Sequence, residues 1–231
     1  LTRFLFQTMG GLVGQMPRSR VLWPVMYEVG VRSVPVIAVT GLFIGMVLAV
    51  QSYDTLRMYR LESRIGSVIN VSLVKELGPV LAATMLAGRV GCAMAAEIGT
   101  MRVTEQIDAM EVSGTNPFKY IVVSRIIATT LMIPLLVIIG DAIALYGSYL
   151  AVKIKGEVSF TLFFHQVFHS TEFSDFIPAF IKSFFFGFAI GLIGCYKGYN
   201  SKKGTEGVGE SANSAVVVSS LLIFILDLIA V

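Results

Sequence analysis

Charged side chains within the apolar parts of this sequence are the first candidates for chemistry. Arg89 and Glu97 lie eight residues apart in one apolar stretch, and this spacing lets both face the same side of a helix. Lys75 and Glu76 mark the entry of that stretch. A charge in an apolar segment is costly, so each group is a functional candidate unless it pairs with a neighbour and positions a helix. Both roles stay open for Arg89, and we favour a structural and coupling role for Glu97.

A histidine pair suggests a second kind of chemistry. His165 and His169 are four residues apart, and Glu172 and Asp175 follow at helical spacing, as the ligands of a metal ion would. However, Gln166 stands where the zinc-protease pattern requires a glutamate after the first histidine. We therefore favour an amphipathic helix outside the membrane for this segment and predict no metal site.

Nucleotide chemistry finds little support in the sequence. The segment GVGESA (207–212) resembles a dinucleotide fingerprint, but that motif requires a preceding strand, and here it joins two apolar stretches. No Walker A motif occurs, and no basic cluster with interleaved aromatic residues indicates nucleic-acid binding. We predict that the chain is not an enzyme and binds no cofactor itself.

A polar segment between two long apolar stretches is the most informative part of the chain. Residues 95–111 are charged and helix-prone, which predicts a short amphipathic helix at the membrane surface. Its apolar face comprises Val103, Ile107 and Met110. Its charged face comprises Arg102, Glu105 and Asp108. A membrane protein that presents such a helix to water is built like the permease half of a transporter with a separate motor.

The composition explains why membrane spans must position these groups. Only 14% of the residues are charged, whereas a soluble domain carries about a quarter. The hydrophobic fraction is 55% and the mean hydropathy is +0.78. Stretches of about 20 apolar residues predict an all-α integral membrane protein with about five transmembrane helices. The predicted spans are 33–53, 79–97, 121–152, 176–199 and 215 to the end.

The segments outside these spans complete the predicted architecture. Residues 1–32 predict interfacial helices that Pro17 and Pro24 break, and residues 204–214 predict a glycine-rich loop. Residues 1–231 are predicted to form a single membrane domain, with the transmembrane bundle over 33–231. Small residues four apart, such as Gly41 and Gly45, predict close helix packing within the subunit. The distribution of Lys and Arg places the N-terminus and residues 95–111 in the cytoplasm of a multi-pass protein.

Three stretches carry a resemblance to a known family. They are KELGPVLAA (75–83), AGRVG (87–91) and AAEIGTMRVTEQIDAM (95–110). Together they resemble the MlaE (YrbE) family of ABC-transporter permeases, as do Asn116-Pro117 and the loop around Gly207. Family members often have proline where this chain has Ser124, a small departure.

The resemblance implies an ATP-driven transporter of phospholipids between the inner and outer membranes of bacteria. It implies a homodimer in the inner membrane, a pair of cytoplasmic ATPases that bind ATP and Mg²⁺, a periplasmic ring of MCE-domain proteins and a STAS-domain protein. It also implies that a coupling helix over 99–111 contacts the ATPase. The residues assigned to this contact are Glu97, Gly99, Arg102, Thr104, Glu105, Gln106, Asp108 and Met110.

Two other classes of function remain as alternatives. An ion-coupled secondary transporter would need internal repeats and carboxylates that face one another, and Asp141 and Asp227 are isolated candidates. We find no clear repeat in the sequence. A membrane enzyme would use the histidine pair with its neighbouring acids. The sequence assigns no residue to substrate binding and leaves the direction of transport and the lipid open.

Overall fold

The part of the chain that the structure describes is almost entirely helical. The computed structural model describes residues 2–13, 19–59, 64–156, 159–170 and 173–230, and these contain no strand. The helices are α1 (Thr2–Val13), α2 (Ser19–Val29), α3 (Val34–Met58), α4 (Ile65–Ser72), α5 (Gly78–Leu86), α6 (Cys92–Val103), α7 (Gln106–Val112), α8 (Ser124–Lys155), α9 (Phe160–Ser170), α10 (Phe173–Tyr199) and α11 (Thr205–Ala230).

Five helical runs in the described residues are long and apolar enough to cross a membrane. They are Ser19–Met58, Ile65–Val103, Phe118–Lys155, Phe176–Tyr199 and Thr205–Ala230. Each contains one of the predicted spans, because an uninterrupted apolar stretch of that length dominates the local signal. The prediction of an all-α integral membrane protein with five spans is confirmed.

The second run is longer than predicted because wide π-helical turns keep it continuous. The turns Leu73–Leu77 and Ala87–Gly91 join α4, α5 and α6 into one run. In the first turn the Gly78 N–H bonds to the Leu73 carbonyl, five residues back. Pro79 follows directly. Proline has no backbone N–H and cannot donate the i→i−4 hydrogen bond of an α-helix, and the wide turn already lacks that bond at this point. A third wide turn, Phe118–Val123, leads into α8.

The predicted glycine-rich loop over 204–214 is wrong for nearly all of its length. Only Gly204, with φ of 107°, stands outside the helix, and α11 begins at Thr205. A Cβ on Gly207 would lie 2.4 Å from the Lys202 carbonyl oxygen, so this glycine permits a close backbone approach. Two further small residues near the start of α11 are buried, namely Ser211 and Ala212. The segment is therefore the first part of a packed helix, and its small residues resemble those of a loop.

Pro24 does not break the N-terminal region as predicted. It lies inside α2, and only one backbone hydrogen bond, to a carbonyl in the exposed first turn, is lost there. The short 3₁₀ turn Val31–Ser33 connects α2 to α3. The N-terminal helices themselves are present as α1 and α2, and their interfacial location stays a prediction. Pro17 lies outside the described residues.

The described residues group into two compact units. The first comprises Leu1–Ser33, Ala83–Pro134 and Phe184–Val231, and the second comprises Val34–Ala82 and Leu135–Ser183. The single membrane domain over 1–231 stays a prediction.

Glycine-mediated packing of α3 against α8 organises the second unit. A Cβ on Gly45 would lie 1.9 Å from the Ala144 carbonyl oxygen, and one on Gly147 would lie 2.4 Å from the Leu42 carbonyl oxygen. Ser148 Oγ lies within hydrogen-bond distance of two carbonyl oxygens, Gly45 O at 2.9 Å and Ala144 O at 2.8 Å, and its single hydrogen can bond to either. Small residues thus bring the two backbones together, as in other membrane helix pairs. The predicted close packing within the subunit is confirmed for this pair.

A methyl group at Gly45 tests this packing. We expect Gly45→Ala to destabilise the chain by about 1–2 kcal/mol, because the backbone of α8 must move away to admit it. The matched control is Gly209→Ala, since a Cβ at Gly209 meets nothing within 4 Å. That control should be neutral or stabilising by up to about 1 kcal/mol through helix propensity. Thermal unfolding of the purified chain in detergent measures both, and equal midpoints would contradict the close contact.

The second unit also holds α9 against α4. Gln166 Oε1 accepts a hydrogen bond from Gly66 N at 3.2 Å, and Asn70 Nδ2 donates to Val167 O at 3.1 Å. Phe163 is fully buried between the two helices. The predicted amphipathic helix over this histidine-containing segment therefore exists, and its apolar face packs on the chain itself.

The first unit has a core that reaches from α1 to α10. Its buried residues include Phe4, Ile98, Ile107, Ile121, Ile126 and Cys195. The ring of Phe4 packs edge-on against Phe118 at 5.0 Å and Tyr196 at 5.3 Å between centroids. This core fixes α7 to the ends of α6 and α8, and so positions the segment that the sequence singled out.

Candidate functional site

The predicted coupling segment is two helices rather than one. Helix α6 ends at Val103, and α7 begins at Gln106. Between them Glu105 adopts a left-handed conformation with φ of 56°. Thr104 Oγ1 donates to the Thr100 carbonyl at 2.9 Å, and this bond closes the last turn of α6. The prediction of one continuous helix over 99–111 is therefore wrong. The left-handed residue interrupts the helix between α6 and α7, and Ile107 of α7 lies in the core of the first unit.

The two predicted faces nevertheless hold across this break. Ile107 is 1% exposed and belongs to the core of the first unit, while Val103 and Met110 are half-buried. The polar side is exposed and includes Arg102, Thr104, Glu105, Gln106 and Asp108. One buried isoleucine thus anchors a short helix that presents its acids to solvent.

Gly99 differs from its predicted surroundings, and one exposed residue next to the segment was not predicted. Gly99 is buried, and a Cβ there would lie 3.2 Å from Ser201 Oγ, so this position serves helix packing. Val112, which the sequence reasoning did not select, is 91% exposed at the end of α7. An exposed valine beside exposed acids gives α7 both apolar and charged contact atoms. The contact of these residues with an ATPase stays a prediction.

Arg102 fixes the end of α6 through an aromatic ring. Its guanidinium lies 5.4 Å from the centroid of the Tyr199 ring at the end of α10. A cation placed over an aromatic face in this way is attracted by the electron density of the ring. The exposed charge of Arg102 therefore has a structural partner in the first unit.

Glu97 pairs with a residue that the sequence reasoning did not assign to the site. Its Oε1 lies 2.6 Å from Arg125 Nη2, near the start of α8. The Arg125 side chain is 9% exposed, whereas that of Glu97 is 46% exposed. Arg125 Nη1 also donates to the Ile121 carbonyl at 3.3 Å. Glu97 therefore has a defined partner that fits its favoured structural role. In the sequence, the signal that could have identified Arg125 is a charged residue near the start of an apolar span.

Arg89 lies in the wide turn Ala87–Gly91 and donates a hydrogen bond from Nη1 to Ser33 Oγ. Ser33 in turn donates to the Val29 carbonyl at 2.6 Å. Arg89 and Glu97 line the same cleft of about 480 Å³, so the spacing argument that placed them on one side is confirmed. The other lining residues come from α2, the turn after it, the wide turn Ala87–Gly91, α6 and the start of α8.

Lys75 and Glu76 lie in the other wide turn, Leu73–Leu77, in the second unit. Glu76 Oε1 is 3.3 Å from Nζ of Lys182, a lysine side chain that is 7% exposed. Lys75 is exposed. In the same unit Asp141 is buried beside a small cavity of about 20 Å³, room for about one water molecule.

The histidine pair does not form part of a metal cluster in the residues that the structure describes. The rings of His165 and His169 stack at 5.9 Å between centroids, and both side chains are exposed on α9. No group of three or more His, Cys, Asp and Glu side chains in the described ranges is placed to hold a metal ion. Glu172 lies outside the described residues.

Comparison with known proteins agrees with this architecture. The sequence model of the family described as Permease MlaE matches residues 22–231. A probable ABC transporter permease protein of Rickettsia felis is 49% identical over 197 residues, which cover 85% of this chain and 76% of the relative. A probable ABC transporter permease protein of Synechocystis is 41% identical over 214 residues, covering 93% and 81%.

A further relative covers almost the whole chain. The intermembrane phospholipid transport system permease protein MlaE of Haemophilus influenzae is 36% identical over 235 residues, which cover 99% of this chain and 89% of the relative. The residues that the family model matches, 22–231, include α7 and every residue that lines the cleft. The chain belongs to the MlaE family of permeases.

Proposed function

We propose that this chain is the membrane-spanning subunit of an ATP-driven transporter that moves phospholipids between two membranes. The observation that carries the proposal is α7, an exposed acidic helix anchored by Ile107 between two membrane-spanning runs. The Haemophilus relative is named an intermembrane phospholipid transport permease, which supports a phospholipid as the substrate. A cytoplasmic ABC ATPase is the proposed motor and supplies the sites for ATP and Mg²⁺.

The packing around α7 supports a route for mechanical coupling. Ile107 shares one core with Ile98 of α6 and with Ile121, close to the start of α8. The Glu97–Arg125 ion pair joins the same two helices. A push on α7 by the motor would therefore act on two spans together.

The remaining proposals concern assembly and location. Exposed apolar side chains run along α11, including Val217, Leu221, Phe224, Ile225 and Leu228. Lipid or a second copy of the chain must cover such a surface. We propose that the chain forms a homodimer in a bacterial inner membrane. An MCE-domain protein on the periplasmic face, a STAS-domain protein on the ATPase and a cytoplasmic N-terminus complete the proposal.

Measurement of ATP hydrolysis tests the proposed division of labour. We expect the purified chain alone to hydrolyse no ATP, and the chain with its ATPase in nanodiscs to show hydrolysis that phospholipid stimulates. The control is the ATPase alone at the same concentration. Substantial hydrolysis by the isolated chain would contradict the proposal. So would lipid movement by the isolated chain that an ion gradient drives, because the chain would then be a secondary transporter.

A further inference from the structure

The cleft of the first unit contains more arginine side chains than ion pairs. Three arginines and two glutamates line it. Arg32 pairs with Glu28 at 3.0 Å, and Arg125 pairs with Glu97 at 2.6 Å. Within the described residues Arg89 has a hydroxyl partner, Ser33, and no carboxylate. The cleft therefore has one guanidinium whose charge no acid of the described chain neutralises.

That guanidinium has unused capacity for hydrogen bonds. Arginine carries five N–H donors in a planar fork, and one of those on Arg89 reaches Ser33 Oγ. The fork geometry matches two oxygens of a phosphate or carboxylate group. Arg89 is half-buried, so an anion that met it in the cleft would be partly shielded from water.

The rest of the lining is amphipathic. Apolar side chains from α2 and α6 form one part of the wall, including Val25, Val29, Ala93 and Met94. Glu28 and Arg32 form a polar part and are 60% and 62% exposed. The volume of about 480 Å³ lies in the range of roughly 300–1,000 Å³ that small-molecule sites occupy. A ligand with an anionic group joined to an apolar body fits such a wall better than a free inorganic anion does.

Exposed aromatic residues on α2 support a position of the cleft near the level of lipid headgroups. Trp23 is 70% exposed and Tyr27 is 57% exposed, on the same helix that supplies Pro24 and Val25 to the cleft. Exposed Trp and Tyr of membrane proteins concentrate where the hydrocarbon meets water. Phosphates of the lipid leaflet are the most abundant anions at that depth.

We propose that this cleft binds the phosphate of a phospholipid headgroup through Arg89, with the glycerol and upper acyl carbons against Ala93 and Met94. The site deepens the proposed function, on which it rests for the class of ligand. Glu28 and Glu97 also line the cleft, where each already pairs with an arginine.

Lipid binding by the full chain, measured by native mass spectrometry after delipidation, tests the site. The probes are dioleoyl phosphatidylethanolamine and, separately, inorganic phosphate. We expect Arg89→Gln to weaken lipid binding at least tenfold, because it removes a charge-assisted contact. Ala93→Phe, which fills the cleft and leaves every charge in place, should weaken it similarly. Arg20→Gln removes the same charge from the exposed surface of α2 and should change affinity less than twofold.

Each outcome separates the site from its alternatives. Equal binding by Arg89→Gln, Ala93→Phe and the wild-type chain would overturn the site. Equal weakening by Arg20→Gln would also overturn it, because net charge alone would then control binding. Displacement of the lipid by inorganic phosphate at equal concentration would identify a free-anion site and overturn the lipid proposal.

Two further measurements keep the test independent of folding and of the proposed function. Ser33→Ala removes the hydrogen bond to Arg89 but keeps the guanidinium, so it should retain lipid binding. If Arg89→Gln lowers the unfolding temperature, Ala93→Phe decides the result. A complex that transports lipid while all variants bind it equally refutes only the cleft. A chain that binds lipid through Arg89 but never stimulates its ATPase refutes only the proposed function.

Discussion

Replacing both Glu105 and Asp108 by lysine is expected to abolish binding of the ATPase while the chain stays folded in the membrane. Both acids are exposed on or beside α7, and the buried Ile107 that anchors this helix is untouched. Reversal of two charges at a complementary surface costs several kcal/mol, which corresponds to roughly a hundredfold or greater loss of affinity. Co-purification of the ATPase with the variant measures the effect, and lipid transport by the reconstituted complex measures its consequence.

The matched control keeps the shape of the same two side chains. Glu105→Gln with Asp108→Asn removes both charges without reversing them, and should weaken binding by less than the lysine pair. The unfolding temperature of each variant should stay close to that of the wild-type chain, since neither acid is buried. Undiminished ATPase binding together with wild-type transport by the lysine variant would refute the role assigned to α7.

Loss of the Glu97 carboxylate is expected to have the largest effect on stability. Glu97→Gln leaves the Arg125 guanidinium, 9% exposed, without its anionic partner. Breaking a fully buried pair costs about 3–5 kcal/mol, and we expect about 2–3 kcal/mol here because the Glu97 side of the pair is 46% exposed to solvent. Denaturant unfolding in detergent, followed by circular dichroism, measures this loss.

An ion pair of similar length in the second unit supplies the control. Lys155 Nζ lies 2.7 Å from Asp54 Oδ1, but these side chains are 34% and 67% exposed. Asp54→Asn should therefore cost about 1 kcal/mol or less. Restoration of stability in the double variant Glu97→Gln/Arg125→Met would show that the unpaired charge causes the loss. Equal costs for Glu97→Gln and Asp54→Asn would contradict the assigned burial.

Features that depend on composition along the chain were predictable from the sequence. Five apolar stretches gave five spans, and helical spacing placed Ile107 inside and Asp108 outside. The same spacing put Arg89 and Glu97 on one side, where both line the cleft. These predictions succeed because apolar length and helical periodicity are local properties that the surrounding lipid or core enforces.

Features that depend on distant partners were not predictable. Ser33 and Arg89 are 56 residues apart, and no local pattern links them. Glu105 adopts a left-handed conformation that glycine or asparagine usually signals, and the sequence has neither residue at that position. The helical start of α11 was hidden for a related reason, since Gly207 and Ser211 are small because they are packed and not because they form a loop.

The wide turns Leu73–Leu77, Ala87–Gly91 and Phe118–Val123 bear on insertions and deletions. A π-helical turn holds one residue more than the α-helical turn it replaces. Removal of one residue from such a turn returns it to α geometry and leaves the helices on either side facing as before. Removal of one residue from the middle of α8 instead rotates every later side chain by about 100°. The three turns are therefore places along these spans where the chain can lose one residue without turning the side chains beyond it to a new face.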